Sequence, residues 1–256
     1  MEGIKVNPQL GWLEALEGGR LLERRLQIAA NNLANVDTPG FKKDVLAFRE
    51  VLMDKIIRGI RTFKEVTQET DFQQGPLEKT GNPLDIAIAG EGFFKVQTPQ
   101  GVAYTRAGNF HLDAERRVVT AEGYPVLADG APIVIDPGLA KGGLITISSE
   151  RFLVAEDGTI SLDGTEIGRL DIVTFEDPQL LEKRGKNLFF PKEGAQERPV
   201  DFPDVRQGYL EGSNSSPLEE MVNLISIHRE FEAAQKAIKN HDETLGRLIE
   251  VYGRTS

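Results

Sequence analysis

Leu22-Glu23-Arg24-Arg25-Leu26-Gln27-Ile28-Ala29-Ala30-Asn31-Asn32-Leu33-Ala34-Asn35-Val36 places Leu22, Leu26, Ala29, Leu33 and Val36 at spacings of 4, 3, 4 and 3. Near the other end, Leu224, Ile227, Phe231, Ala234 and Ile238 continue through His241 to Leu245, Leu248 and Tyr252, with spacings of 3 and 4 throughout. Sustained alternation of three and four keeps one apolar seam turned toward a partner helix, which is what coiled-coil packing requires. Helices at both ends of a 256-residue chain, with a separate body between them, form the plan of a subunit that assembles through its termini.

The body between them has a different texture. Residues 75–212 hold 18 of the 26 glycines and 10 of the 13 prolines. Both residues punctuate turns and are kept out of helix interiors, so this stretch predicts an irregular, many-turned β domain. Short apolar runs supply the strands: Leu84–Ile88, Phe93–Val96, Val118–Val119, Ile133–Ile135, Leu144–Ile147 and Ile172–Phe175. Asp129-Gly130, Asp157-Gly158 and Asp163-Gly164 are turn pairs, and Asp157-Gly158 has the spacing of a hairpin between Phe152–Val154 and Ile160–Leu162.

The first helix is expected from Leu10 to Leu33, weakened near Gly18-Gly19 and stopped by Thr38-Pro39-Gly40. Val45, Phe48, Leu52 and Ile56, spaced 3, 4 and 4, predict a short second helix near residues 44–58, and residues 61–80 read as an extended connector. Ser216 caps the last helix, Pro217 fills its first position, and Glu219 completes a capping box. The fold class is therefore α+β. The expected parts are a discontinuous helical domain of residues 1–40 with 213–256, a helical or extended connector over 41–80, and a β-rich domain over 81–212.

Net charge is −10, and no face concentrates Lys and Arg as a nucleic-acid binder requires. The run Arg20-Leu21-Leu22-Glu23-Arg24-Arg25 is interrupted by Glu23 and by apolar positions, and reads as a solvated helix face. The absence of cysteine excludes disulfides, thiol nucleophiles and Cys-ligated metals. No apolar run suits a membrane span or a cleavable signal peptide, so any export is expected to leave the N-terminus intact.

The chemistry-bearing residues do not gather into a motif. His228 and Glu232 share a helix turn, His241 falls on the seam and His111 stands alone, so no metal or cofactor is expected. Gly90-Glu91-Gly92-Phe93-Phe94 lacks the third glycine of a dinucleotide loop and the Gly-Lys-Ser/Thr of a P-loop, and predicts a tight hairpin turn. Asp85, Glu91, Asp113, Glu115, Glu122 and Asp171 lie on or beside strands, but one sequence cannot show which carboxylates converge. Ser213, Ser215 and Ser216 lack a nucleophile elbow. Asn31, Asn32 and Asn35 admit two readings: a helix stop, or small and amide side chains through which helices approach closely and hydrogen-bond between subunits.

Ile28-Ala29-Ala30-Asn31-Asn32-Leu33-Ala34-Asn35-Val36-Asp37-Thr38-Pro39-Gly40-Phe41-Lys42 resembles the N-terminal signature of bacterial flagellar rod, hook and hook-filament axial proteins. Gly81-Asn82-Pro83-Leu84-Asp85-Ile86-Ala87-Ile88 with Gly90-Glu91-Gly92-Phe93-Phe94 is similar to the opening of the rod-protein body. Tyr104-Thr105-Arg106-Ala107-Gly108-Asn109-Phe110 resembles its next block. Gly208-Tyr209-Leu210-Glu211-Gly212-Ser213-Asn214, running into Glu219-Glu220-Met221-Val222, resembles the C-terminal signature. Four blocks in order span nearly the whole chain. Residues 123–133 and 181–189 look most like the proximal-rod branch, with distal-rod and hook types as the alternatives. Arg116 departs from the pattern, standing where the family usually has a turn glycine.

The resemblance implies a non-enzymatic structural subunit of the flagellar basal-body rod in the periplasm, exported by the flagellar type III apparatus. Its implied partners are copies of itself and other rod proteins, with no nucleic acid, membrane insertion or small-molecule substrate. The expected assembly interface is Leu22, Leu26, Ala29, Asn31, Asn32, Leu33 and Asn35 against Leu224, Ile227, Phe231, Ala234, Ile238, Leu245 and Leu248. Thr38, Pro39, Gly40 and Phe41 form the family's turn. A cell-wall glycan hydrolase with an acidic β body and a self-contained β binding module with a helical stalk are the alternatives of other classes.

Overall fold

The computed structural model describes residues 8–52, 62–135 and 151–253. The chain forms two compact units, one drawn from residues up to Ala34 and from Ser216 onward, the other spanning Asn35–Ser215.

The helical unit contains α1, Pro8–Ala34, and α2, Pro217–Gly253. Both begin on proline, whose missing N–H costs nothing at a first helical position. The Glu220 amide donates to the Ser216 carbonyl at 3.0 Å, and Glu219 and Glu220 place negative charge at the positive end of the α2 dipole. Ile28, Ala29, Asn32, Glu220 and Ile227 are buried within this unit. Asn32 Nδ2 donates to Glu220 Oε1 at 3.2 Å, and Arg25 forms an ion pair with Glu230 nearer the surface. These contacts run α1 and α2 antiparallel.

The second unit is built on a six-stranded antiparallel sheet, in the order Leu181–Arg184, Leu188–Pro191, Gly101–Thr105, Phe93–Thr98, Ile172–Phe175 and Glu197–Pro199. It is buried on both faces, and the period of two along Phe93–Thr98 shows how. Phe94 and Val96 enter a large core with Ile86, Ile88, Phe110 and Phe152. Phe93 points the other way, into a smaller cluster with Tyr104, Phe175 and Phe189. The aromatic rings meet edge to face, with centroids 5.2 Å apart for Phe94–Phe110 and 5.7 Å for Phe93–Phe189.

The turn pairs sit where their chemistry places them. Asp157-Gly158 joins Phe152–Val154 to Thr159–Leu162, and Asp163-Gly164 joins that strand to Thr165–Arg169. Asp163 and Gly164 both have positive φ, 51° and 82°, the requirement of a tight hairpin turn. Arg116 adopts φ 64° in place of a glycine, and its amide donates to the Asp113 carbonyl at 3.0 Å. The turn is kept with a non-glycine residue in a left-handed conformation.

Two local expectations are corrected. Residues 44–52 are not helical but a strand, Asp44–Leu52, paired antiparallel with Thr62–Thr70 in unbroken register; the remaining residues of the expected helix, 53–58, lie outside the described residues. Spacing of 3 and 4 over so few residues does not distinguish helix from strand. The Val- and Thr-rich segments of this pair favour the extended form once they find each other. Gly90-Glu91-Gly92 turns the chain but closes no hairpin, because Ile86–Ala89 pairs with Asp204–Gln207 while Phe93–Thr98 belongs to the six-stranded sheet. The expected strand Leu144–Ile147 lies outside the described residues.

Candidate functional site

The family turn is fastened within the β unit by the segment that precedes α2. The Gly40 amide donates to the Glu211 carbonyl at 2.7 Å, and the Gly212 amide donates to the Pro76 carbonyl at 2.8 Å. Gly40 has φ 68°, and a side chain there would begin 2.3 Å from the Ala107 nitrogen. Only glycine permits both the left-handed backbone and that approach. Phe41 beside it is fully buried, and Lys183 Nζ lies 3.9 Å from its ring centroid.

The centre of this fastening is ionic. The Glu211 side chain is wholly buried. Its Oε1 accepts from Lys42 Nζ at 2.6 Å and from the Gly75 amide at 3.0 Å, and its Oε2 accepts from Arg106 Nη1 at 3.2 Å. Lys42 also donates to the Gln73 carbonyl at 2.6 Å. Arg106 Nη2 donates to the Gly90 carbonyl at 2.7 Å, and its guanidinium lies over the Phe93 ring. Burial pulls both cations below their ordinary pKa, while Glu211 works in the opposite direction. Two buried cations thus share one hydrogen-bonded carboxylate among the described residues.

Asn214 does by amide what Glu211 does by charge. Its Oδ1 accepts from the Lys43 amide at 2.7 Å, and its Nδ2 donates to the carbonyls of Asp71 at 2.8 Å and Gln73 at 3.1 Å. Lys183 adds a tie to the Lys42 carbonyl at 2.6 Å and a second to Asp44 at 3.3 Å. Segments 40–44, 71–76, 106–107 and 211–214 are therefore laced together by polar contacts. Such a lattice binds one segment of the chain to another.

In the helical unit, Ala29, Asn32 and Ile227 of the expected interface are buried, and Leu22, Leu33, Leu224, Phe231 and Ala234 are partly covered. Leu26 and Ile238 are about two-fifths exposed, at 41% and 40%, so the covered face of α1 is turned toward Ile28 and Asn32 relative to the heptad reading. Asn31 is exposed. Leu245 and Leu248 fall within α2, but their side chains lie outside the described set. Asn35 belongs to the β unit, where its carbonyl accepts from the Thr38 amide at 3.1 Å and its side-chain oxygen from the Thr38 hydroxyl at 3.3 Å. Pro39 lends its carbonyl to Asn187 Nδ2 at 3.5 Å.

Three of the carboxylates on or beside the strands make local contacts. Asp113 pairs with Arg117 at 2.7 Å, Asp85 accepts from Asn82 at 2.9 Å, and Asp171 accepts from the Gly130 amide at 2.9 Å. A cleft of about 390 Å³ is lined by Lys95, Asp129, Arg169, Asp171 and Glu197. Lys95 is paired with Glu197 at 3.0 Å, and Arg169 donates to the carbonyls of Asp157 and Asp201. His228 lies 3.4 Å from Glu232 on the exposed side of α2, and His111 is exposed. Glu211, Lys42 and Arg106 are the residues that sequence reasoning passes over. All three stand inside the motif blocks, but nothing in the spacing links positions 169 and 105 residues apart.

Helices contributed by both chain ends, beside a β unit laced by buried ties, have the plan of a structural subunit. Three family models match along the chain: the flagella basal body rod protein over residues 17–42, the flagellar hook protein FlgE/F/G D1 domain over 87–162, and the flagellar basal body rod FlgEFG protein C-terminal region over 206–251. The flagellar basal-body rod protein FlgF of Caulobacter vibrioides is 38% identical, with 91% of this chain and 94% of that protein covered. FlgF of Rhizobium meliloti is 34% identical over 96% and 98%, and the rod protein FlgG of Borreliella burgdorferi is 34% identical over 91% and 94%. The chain belongs to the flagellar basal-body rod protein family, as a structural rod subunit rather than an enzyme.

Proposed function

We propose that this chain is a proximal-rod, FlgF-type subunit that polymerises through its terminal helices and helps to form the shaft transmitting torque. The observation that carries this reading is the apolar surface left on the helical unit. Leu218, Met221, Val222 and Ile225 fall at helical spacing on one side of α2 and are 50–73% exposed. The covered residue Ile227 lies on the other side of the helix. Leu26 and Ile238 add further exposed apolar surface. Soluble proteins rarely leave such a stripe without a use, and in a rod subunit its occupant is a neighbouring rod subunit.

In this reading, α1 and α2 pair as a coiled-coil-like inner domain, the β-rich unit of residues 35–215 is inserted between them in sequence, and subunits repeat head to tail without closing a ring. The chain reaches the periplasm through the flagellar type III apparatus with its N-terminus uncleaved. The similarity to FlgG supports a second reading, a distal-rod subunit. Complementation separates the two: this chain is expected to restore motility to a strain lacking its FlgF and not to one lacking its FlgG. For polymerisation, Leu33→Asp or Phe231→Asp is expected to abolish rod assembly and leave the β unit folded. Normal rods from either variant would refute the helical seam.

A further inference from the structure

We infer that Glu211 is a closing strap: it is the last-arriving counter-ion on which folding of the whole β unit depends. Lys42, Gly75 and Arg106 come from three separate segments, and each hydrogen-bonds to the Glu211 side chain, at 2.6, 3.0 and 3.2 Å. The Glu211 backbone takes a fourth, Gly40, at 2.7 Å. Lys42 and Glu211 have fully buried side chains, and that of Arg106 is 5% exposed. Glu91 also favours the charged form of Arg106, and Asp71 that of Lys42, each less strongly than Glu211 does.

A chain is made from its N-terminus, so residue 211 follows every group it binds. Until it docks, closing the unit would bury two cations with backbone carbonyls as their hydrogen-bond acceptors. Removing one partner of a buried ionic cluster is strongly unfavourable, because the remaining charge is left uncompensated. The open form is therefore favoured until Glu211 arrives. The strap lies five residues before Ser216, where the helical unit resumes, so closure waits until nearly all of the β unit's own sequence is present.

The same physics sets the test. In full-length protein, Glu211→Gln keeps the shape and removes the charge, and is expected to lower the folding equilibrium constant at least a hundredfold in urea titration. Lys42→Met added to it removes one stranded cation and is expected to restore at least tenfold, although it deletes a second native group. A double variant no more stable than Glu211→Gln alone would overturn the counter-ion role. If Glu211→Gln does not fold at all, a double variant that folds supports that role, and one that stays unfolded overturns it.

Hydrogen exchange on the unmodified protein supplies the second arm. Dependence of the whole unit on the strap requires the Gly40 and Gly75 amides to open with the same free energy as those of Phe94 and Val96. Exchange of Gly40 and Gly75 a hundredfold faster than Phe94 and Val96 would make the strap a local tie and overturn the proposal. Neither arm depends on polymerisation, so failure here leaves the rod reading intact.

Discussion

Single atoms decide much of the β unit. A side chain at Gly75 would begin 2.1 Å from the Gly212 carbonyl oxygen, inside the contact that brings the strap to the body. Backbone cannot yield as a flexible side chain can, so Gly75→Ala is expected to destabilise the unit by about 3 kcal/mol, read from chemical denaturation. Phe94 is fully buried between Ile86, Phe110 and Phe152. Phe94→Ala should cost about 3–5 kcal/mol without changing helix content. The turn residue Asp157 is held below the ordinary aspartate value of 3.8 by the Thr159 amide and hydroxyl, Asp204 is lowered by its hydrogen bond to Arg206, and Glu182 by Arg184. Folded values below unfolded ones mean that these groups add stability above the ordinary carboxylate range and lose it as pH falls through the folded values. Stability should therefore fall below about pH 4, and Asp157→Asn should flatten that decline in an acid titration.

At the scale of elements, long patterns are legible in the sequence and short ones are not. The alternation of three and four from Leu22 and from Leu224 locates α1 and α2, because many turns reinforce one another. Asp157-Gly158 locates its hairpin because the turn chemistry is local. The strand Asp44–Leu52 reads falsely as helix because its pattern is short and its identity is set by a partner strand that begins ten residues after it ends. The strap is illegible for the same reason at longer range: Glu211 declares its role only when Lys42 and Arg106 stand beside it. Heptad spacing also gives the covered face of α1 only roughly, since Leu26 is exposed and Ile28 and Asn32 are covered. Ile227 sits at the heart of the covered face, so Ile227→Asp should abolish helical packing, read by circular dichroism, while the β unit keeps its midpoint in urea. Loss of both together would mean that the two units fold as one.

At the scale of the whole molecule, the proposed assembly through the termini gives the two units different work. The β unit supplies cross-tied mass, with its first and last segments bound to each other through Glu211 and Asn214. The helical unit leaves Leu218, Met221, Val222 and Ile225 exposed, and in the proposed assembly these side chains meet neighbours. An exposed stripe of four side chains is on the order of 400 Å², about half of what each partner of a stable pair usually buries. One such contact is too small to hold a dimer, so the proposed rod would rest on several at once. Val222→Asp, on the exposed side of α2, should therefore leave the isolated chain unchanged in circular dichroism and abolish its incorporation into rods.

The most direct measurement is sedimentation velocity with circular dichroism on the full chain and on residues 35–215 across a concentration series. If the termini are assembly elements, the fragment stays a compact β monomer at every concentration, while the full chain, helical throughout, associates as its concentration rises. A full chain that remains a monomer at every concentration would contradict assembly through the termini.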